Sequence, residues 1–189
     1  MELISNATKI KGVNILKSSK FKDERGSFIR AYDFKFLSNN NCNFRISDIN
    51  ISETKKKGTL RGLHLQKPPF EEIKLIRCIK GKIFDVAVDL RKNSDTYLQY
   101  TSLVLEEGDC KALIIPKGCA HGFQTLTDNC TLLYIHSACY SKESEDGVNY
   151  LDSSINIKWP EKITFISEKD KSLRFLDKKI WKINVDFAN

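Results

Sequence analysis

From Phe44 to Tyr140 the chain reads as a succession of short apolar or alternating runs cut by turn signals, and this rhythm constrains the fold more than any other feature. The runs are FRISDINIS, TLRGLHLQ, IKLIRCI, IFDVAVDL, YTSLVLE, KALIIP and TLLYIHSACY; between them lie KKKG, KGK, RKNSD, EEGD, PKG and TDN. Such runs are too short for an amphipathic helix of several turns, but they suit buried or half-buried strands bounded by glycine, proline and asparagine. Many strands at close spacing imply an all-β sandwich or barrel. Two short peripheral helices are expected, FKFLSNNN after Asp33 and EKDKSLRFL with Ser167 and Asp170 near its start. No repeat, low-complexity segment or linker interrupts the chain, so residues 1–189 are expected to form one domain. Its 41% apolar content is enough to fill a single core.

The net charge of +7 predicts attraction to anions, which include nucleic acid, membrane surfaces and phosphorylated small molecules. The lysines at Lys55, Lys56 and Lys57, and those scattered from Lys169 to Lys182, lack the interleaved aromatics of a nucleic-acid platform, so no nucleic-acid partner is expected. The six cysteines form no CxxC pair and no disulfide framework, and Cys78 and Cys130 fall in apolar runs where an inert buried thiol is expected. With neither a signal-like start nor a membrane-spanning stretch, the expectation is a reduced, cytoplasmic protein without a membrane partner.

Alternation along a strand sorts side chains onto two faces. In Thr59–Gln66 it groups His64 with Leu60, Gly62 and Gln66 and sends Arg61 to the opposite face. In Thr131–Tyr140 one face reads Leu132, Tyr134, His136, Ala138, Tyr140. Lys74 and Arg77 are the lone charges on opposite faces of IKLIRCI. Singly, each has an ordinary structural reading: a hydrogen-bonded core histidine, a snorkelling lysine, a core tyrosine with a satisfied hydroxyl. Jointly, a base (His64), a cation (Lys74), a phenol (Tyr134) and a second histidine (His121, in IPKGCAHGF) suit proton transfer next to a carbonyl.

The blocks KGTLRGLHLQ, KLIRCIKGKIFDVAVDLRKNSDTY, IPKGCAHGFQTL and INIKWP together resemble the dTDP-4-dehydrorhamnose 3,5-epimerase family, in order and spacing, from about Phe21 to Asp170. The resemblance implies a cupin-type jelly-roll barrel, a reaction needing no metal or redox cofactor, a nucleotide-diphosphate-sugar substrate, and a homodimer that exchanges N-terminal strands. It places His64 on the family's catalytic base, Asp170 on the carboxylate that orients it, Lys74 near the developing enolate and Tyr134 on the catalytic acid. Asp85, His121 and Tyr140 fall on further active-site positions. Arg61, Lys169 and Arg25 fall on contacts to the nucleotide diphosphate, Arg25 reaching into a partner's site.

Three positions depart from the family's usual pattern: Arg30 replaces a glutamate and Asp48 a glutamine, both near the nucleotide base, and ACY replaces a double tyrosine while retaining Tyr140. Gln66 stands where a metal-binding cupin would need the second histidine of an H-x-H unit, so no metal is expected. The implied activity is epimerisation at C3, C5 or both of a 4-keto-6-deoxyhexose. The competing readings are a single-carbon epimerase and a non-catalytic cupin that binds a nucleotide sugar.

Overall fold

In the computed structural model, which describes residues 2–176, thirteen strands and two short helices form a β-sandwich. One sheet runs β1 (Leu3–Ala7), β2 (Asn14–Ser18), β10 (Lys111–Ile115), β7 (Lys74–Lys80), β12 (Cys130–His136), β5 (Asp48–Thr54). The facing sheet runs β13 (Glu145–Gly147), β6 (Leu60–Gln66), β11 (Cys119–Thr125), β8 (Lys82–Asp89), β9 (Tyr100–Glu106). A separate hairpin pairs β3 (Lys20–Asp23) with β4 (Gly26–Ile29). From β5 to β12 the chain crosses between the sheets at almost every connection, and every ladder is antiparallel, which gives the cupin-type jelly roll.

Alternation assigns each central strand to two cores at once. Ile76 and Cys78 of β7, Ile83 and Ala87 of β8, Phe123 of β11 and Leu132 of β12 fill the space between the sheets. Residues one position off, Leu75, Ile135 and Ala112, pack outward beneath Leu37 and Phe44, while Val86, Val88 and Ala120 pack under Val148, Ile155 and Ile157. Strands covered on both faces read as continuous apolar runs. Burial also pushes the Cys78 thiol up to about 12, so this cysteine is a packing residue at neutral pH.

Several sequence expectations change in detail. FRISDINIS yields a strand only from Asp48, because Phe44 turns into the outer core and its carbonyl accepts the Tyr32 hydroxyl. The first helix, α1, is Phe34–Asn39, capped by the Asp33 carboxylate. The second, α2, is only Glu168–Lys171: Asn149 takes the Lys171 and Leu173 carbonyls and draws the chain out of helical register. TLLYIHSACY leaves the sheet after His136.

The most consequential change lies in β6. His121 pairs with His64 but Phe123 pairs with Arg61, so two residues of β6, Gly62 and Leu63, oppose the single Gly122. This bulge flips the parity, and Arg61, expected on the far face, lines the same cavity as His64. Glycines permit it: a Cβ on Gly62, whose φ is +119°, would lie 2.5 Å from the Gly122 Cα. Gly62→Ala is therefore expected to cost about 1–3 kcal/mol, the range of an overpacked core site, read as a lowered urea midpoint.

Candidate active site

All three histidines of the chain line one cavity of about 390 Å³, between the sheets at the end where β7 starts and β12 finishes. Each imidazole is held by a carboxylate: His64 Nε2 to Asp170 Oδ1 at 2.7 Å, His121 Nε2 to Asp85 Oδ1 at 2.6 Å, and His136 Nδ1 to Glu72 Oε2 at 2.6 Å. The remaining nitrogen of each ring has no hydrogen-bond partner among the described residues, and none is sealed off as a buried orphan. Three imidazoles thus offer three unspent nitrogens to one space.

Asp170 is held from several directions. Its backbone N–H donates to Ser167 Oγ at 3.1 Å, and its Oδ2 accepts the Gly62 N–H at 3.1 Å, which ties α2 to the β6 bulge. Burial alone would raise its pKa. The His64 hydrogen bond and charge, the Gly62 N–H and Ser167 outweigh that and hold the carboxyl below the usual range. An ionised carboxylate only accepts, so His64 Nε2 is the donor, and Nδ1 is the atom that carries the lone pair of the neutral ring.

Lys74 enters from the opposite sheet. Its Nζ donates to the His64 carbonyl at 3.2 Å and pairs with Glu72 Oε1 at 3.2 Å, leaving one of an ammonium's three N–H bonds uncommitted. Tyr134 meets His121 edge-on at 5.7 Å and stacks on His136 at 5.8 Å. Burial first, and then the Asp85 charge, push its phenol well above 10 against the opposing pull of Arg61. It is a neutral O–H donor through the physiological range. Asp85 itself is fully buried, with Oδ2 unpartnered.

The rim carries the charged groups. Arg61 is braced by hydrogen bonds to Thr54 Oγ1 and the Glu53 carbonyl, both at 3.2 Å. Lys169 and the Tyr140 hydroxyl both bind Glu145. Burial would raise the Glu145 pKa, but these two donors lower it below the ordinary value. The Asp48 carboxylate accepts the Tyr140 N–H at 3.3 Å, just outside the lining.

Four expected residues do not line this chain's own cavity: Asp85, the fully buried partner of His121, Asp48 beside Tyr140, and Arg25 and Arg30. Arg25, at the tip of the β3–β4 hairpin, pairs with Asp23, and Arg30 pairs with Asp33 at 2.6 Å beside the α1 cap. Conversely, sequence reasoning missed Glu72, Glu145, Ser167 and the site role of His136. Strand parity carried the cue for two of them: Glu72 lies two residues before Lys74, and His136 two after Tyr134. Gln66 is committed to the neighbouring loop, donating to the Phe70 and Cys139 carbonyls and accepting the Ser141 N–H.

Comparison with known proteins is unambiguous. The sequence model of the dTDP-4-dehydrorhamnose 3,5-epimerase family matches residues 7–178. The dTDP-4-dehydrorhamnose 3,5-epimerase of Shigella flexneri is 38% identical over 172 residues, covering 90% of this chain and 94% of that one. The crystal structure of the Bacillus anthracis dTDP-4-dehydrorhamnose 3,5-epimerase with TDP and PPi bound superposes with a TM-score of 0.89. It is 35% identical and covers 93% of this chain and all of that one. A Legionella pneumophila dTDP-6-deoxy-D-glucose-3,5-epimerase in complex with dTDP-4-keto-L-rhamnose gives a TM-score of 0.88 at 32% identity, with 96% and 98% coverage.

The Asp170 pair also makes a stability prediction. A carboxyl whose folded pKa is depressed contributes stability above its unfolded pKa and loses it as pH falls through the folded value. Asp170→Asn should therefore be less stable than the wild type at neutral pH, by about 1–3 kcal/mol for a hydrogen-bonded charge. The deficit should shrink as pH drops below about 4, where unfolded carboxylates protonate. Urea unfolding of both proteins from pH 7 to pH 3 measures it; a deficit that does not change with pH would refute the assignment.

Proposed function

Given that the chain belongs to the dTDP-4-dehydrorhamnose 3,5-epimerase family, isomerases that act on nucleotide-linked sugars in deoxysugar biosynthesis, we propose a specific division of labour within its cavity. The substrate is a nucleotide-linked 4-keto-6-deoxyhexose. His64 Nδ1 removes the proton from C3 or C5, each α to the C4 ketone. The C–H electrons move to the C4 oxygen, and the resulting enolate faces the free N–H of Lys74. Tyr134 delivers a proton to the opposite face of the same carbon, inverting it. Proton exchange with solvent then returns His64 to the free base and Tyr134 to the phenol, so no atom is gained or lost.

One observation supports this reading above the others: the Lys74 ammonium is bonded to the backbone carbonyl of His64. Base and enolate-stabilising cation are thereby fixed relative to each other before any sugar arrives, the preorganisation that makes electrostatic stabilisation effective. Asp170 holds the tautomer, as the carboxylate of a hydrolase triad does. His121, held by the buried Asp85, lines the sugar pocket against the Tyr134 ring. Arg61 and Lys169 at the rim suit the diphosphate, and Tyr140 and Asp48 flank the path to the nucleotide base.

The reading extends to a homodimer. β5 is an edge strand with Ile49 and Ile51 58% and 65% exposed. The β3–β4 hairpin joins no other described strand and shows Phe21 and Phe28, 57% and 64% exposed, beside Arg25. An unpaired apolar edge invites a strand from elsewhere, and this hairpin has the matching apolar face. Docked on a partner's β5, it would carry Arg25 to that partner's site, with Arg30 near the hairpin's base. We further take residues 1–189 as one epimerase domain acting in the cytoplasm; no described helix is long and apolar enough to cross a membrane.

Two experiments test these proposals. Proton NMR in heavy water with dTDP-4-keto-6-deoxyglucose should show loss of the C3 and C5 signals, and His64→Ala should slow it at least about a hundredfold, as loss of a general base does. A near-wild-type mutant would refute the base assignment. Loss at one carbon selects a single-carbon epimerase. Tight calorimetric binding without exchange of dTDP-, GDP-, CDP- or UDP-linked 4-keto sugars would instead leave a silent binder. For the dimer, sedimentation should give twice the chain mass, and Ile51→Asp should halve it; a monomeric wild type overturns the exchange.

A further inference from the structure

We propose that Glu72 and His136 form a positioning unit that fixes Lys74 and Tyr134 for the reaction, an inference that rests on the epimerase reading above. Both oxygens of one buried carboxylate are spent on it: Oε1 on the Lys74 ammonium at 3.2 Å and Oε2 on His136 Nδ1 at 2.6 Å. The side chains of Glu72, Lys74 and His136 are 8%, 10% and 16% exposed, so little water competes for these bonds. His136 in turn stacks on the Tyr134 ring with only 8° between the planes. Followed through, the contacts make one unbroken path from Tyr134 to His136, Glu72, Lys74 and the carbonyl of His64. The proton donor and the base are its two ends, and the enolate's cation stands next to the base.

The physical need is clear from the lysine. An ammonium on a four-carbon stem samples many rotamers, and a displacement of about 1 Å at a reacting centre costs on the order of a hundredfold in rate. The His64 carbonyl alone gives Lys74 a single anchor; Glu72 adds a second, and the imidazole keeps Glu72 from turning away. Burial would raise the Glu72 pKa, but the His136 hydrogen bond and the Lys74 charge hold it below the ordinary value, so the clamp is an ionised carboxylate. His136 Nδ1 must then be the donor. The register sets the arrangement, since His136 and Lys74 are direct cross-strand partners.

Glu72→Gln tests this with little change of shape. A carboxamide has one oxygen where the carboxylate has two, so in the wild-type geometry, which puts Lys74 on one oxygen and His136 on the other, it keeps only one of these bonds. In the wild type, long-range proton–nitrogen spectra of histidine-labelled protein should show His136 as the Nδ1–H form, identified by its absence in His136→Phe. Glu72→Gln should shift His136 away from that form while His64 and His121 keep theirs. In the deuterium-exchange assay its kcat should fall about ten- to a hundredfold with KM within about twofold. Glu72→Asp, which keeps the charge on a shorter arm, should recover part of the kcat. His136→Phe, which keeps a stacked ring but frees Glu72 Oε2, should lose about tenfold in kcat, and it carries the test if the glutamine variant does not fold. Wild-type kcat in these variants, an unchanged His136 form in Glu72→Gln, or a defect confined to KM overturns the inference alone. An inactive wild type on every nucleotide sugar overturns the epimerase reading and, with it, this role.

Discussion

Asp170 makes the interaction on which the rest of the site depends. A carboxylate only 4% exposed persists as an anion when donors surround it, and here the Gly62 and His64 donors lie 108 and 106 residues away in sequence. Gly62 supplies a backbone N–H from a bulge and His64 an imidazole from the same strand, while Ser167 caps the short helix on which Asp170 sits. The bulge that frees the Gly62 N–H also turns Arg61 toward the cavity. One local irregularity thereby brings His64, Asp170 and Arg61 together.

The same economy runs through the sheet. On the inward faces of β7 and β12, apolar residues at one end give way to chemistry at the other: Cys78 and Ile76 lead to Lys74, and Cys130 and Leu132 to Tyr134 and His136. The core holds the strands rigidly, and the cavity is the unfilled end of that core. The charged groups there survive because each has at least one partner: Asp170 on His64, Asp85 on His121, and Glu72 on both His136 and Lys74.

How much of this was legible in the sequence follows from burial. The central strands β6–β8 and β10–β12 announced themselves because both their faces are largely covered, so apolar runs and turn signals coincide; β5 and β9, largely exposed, were marked by alternation alone. The first four strands gave no such signal: LISNA, KFKD and GSFI are mostly exposed, and exposed strands need no apolar period. His64, Asp170, Lys74 and Tyr134 were singled out from residue type and resemblance, and the structure gathers all four around one cavity. The parity error at Arg61 could not be seen by counting, since a bulge inserts one residue without changing composition. Its only trace was a glycine in each of the facing strands. Glu72 was hidden for a different reason: a glutamate beside another glutamate reads as a solvated turn, and its burial emerges only once β12 lies alongside.

The separation of 106 residues between His64 and Asp170 has a consequence for how the protein comes into being. The strand bearing the base leaves the ribosome early, whereas the helix bearing its carboxylate is among the later segments to be made. Until that helix folds back over the second sheet, the imidazole has no partner to fix its tautomer, and Gly62 has no acceptor. The His64–Asp170 pair is therefore completed only when this helix docks, a long-range closure of the kind that makes β-rich folds slow to form. A chain stalled or clipped before the helix would hold every strand of the sandwich and a histidine with nothing to fix its tautomer.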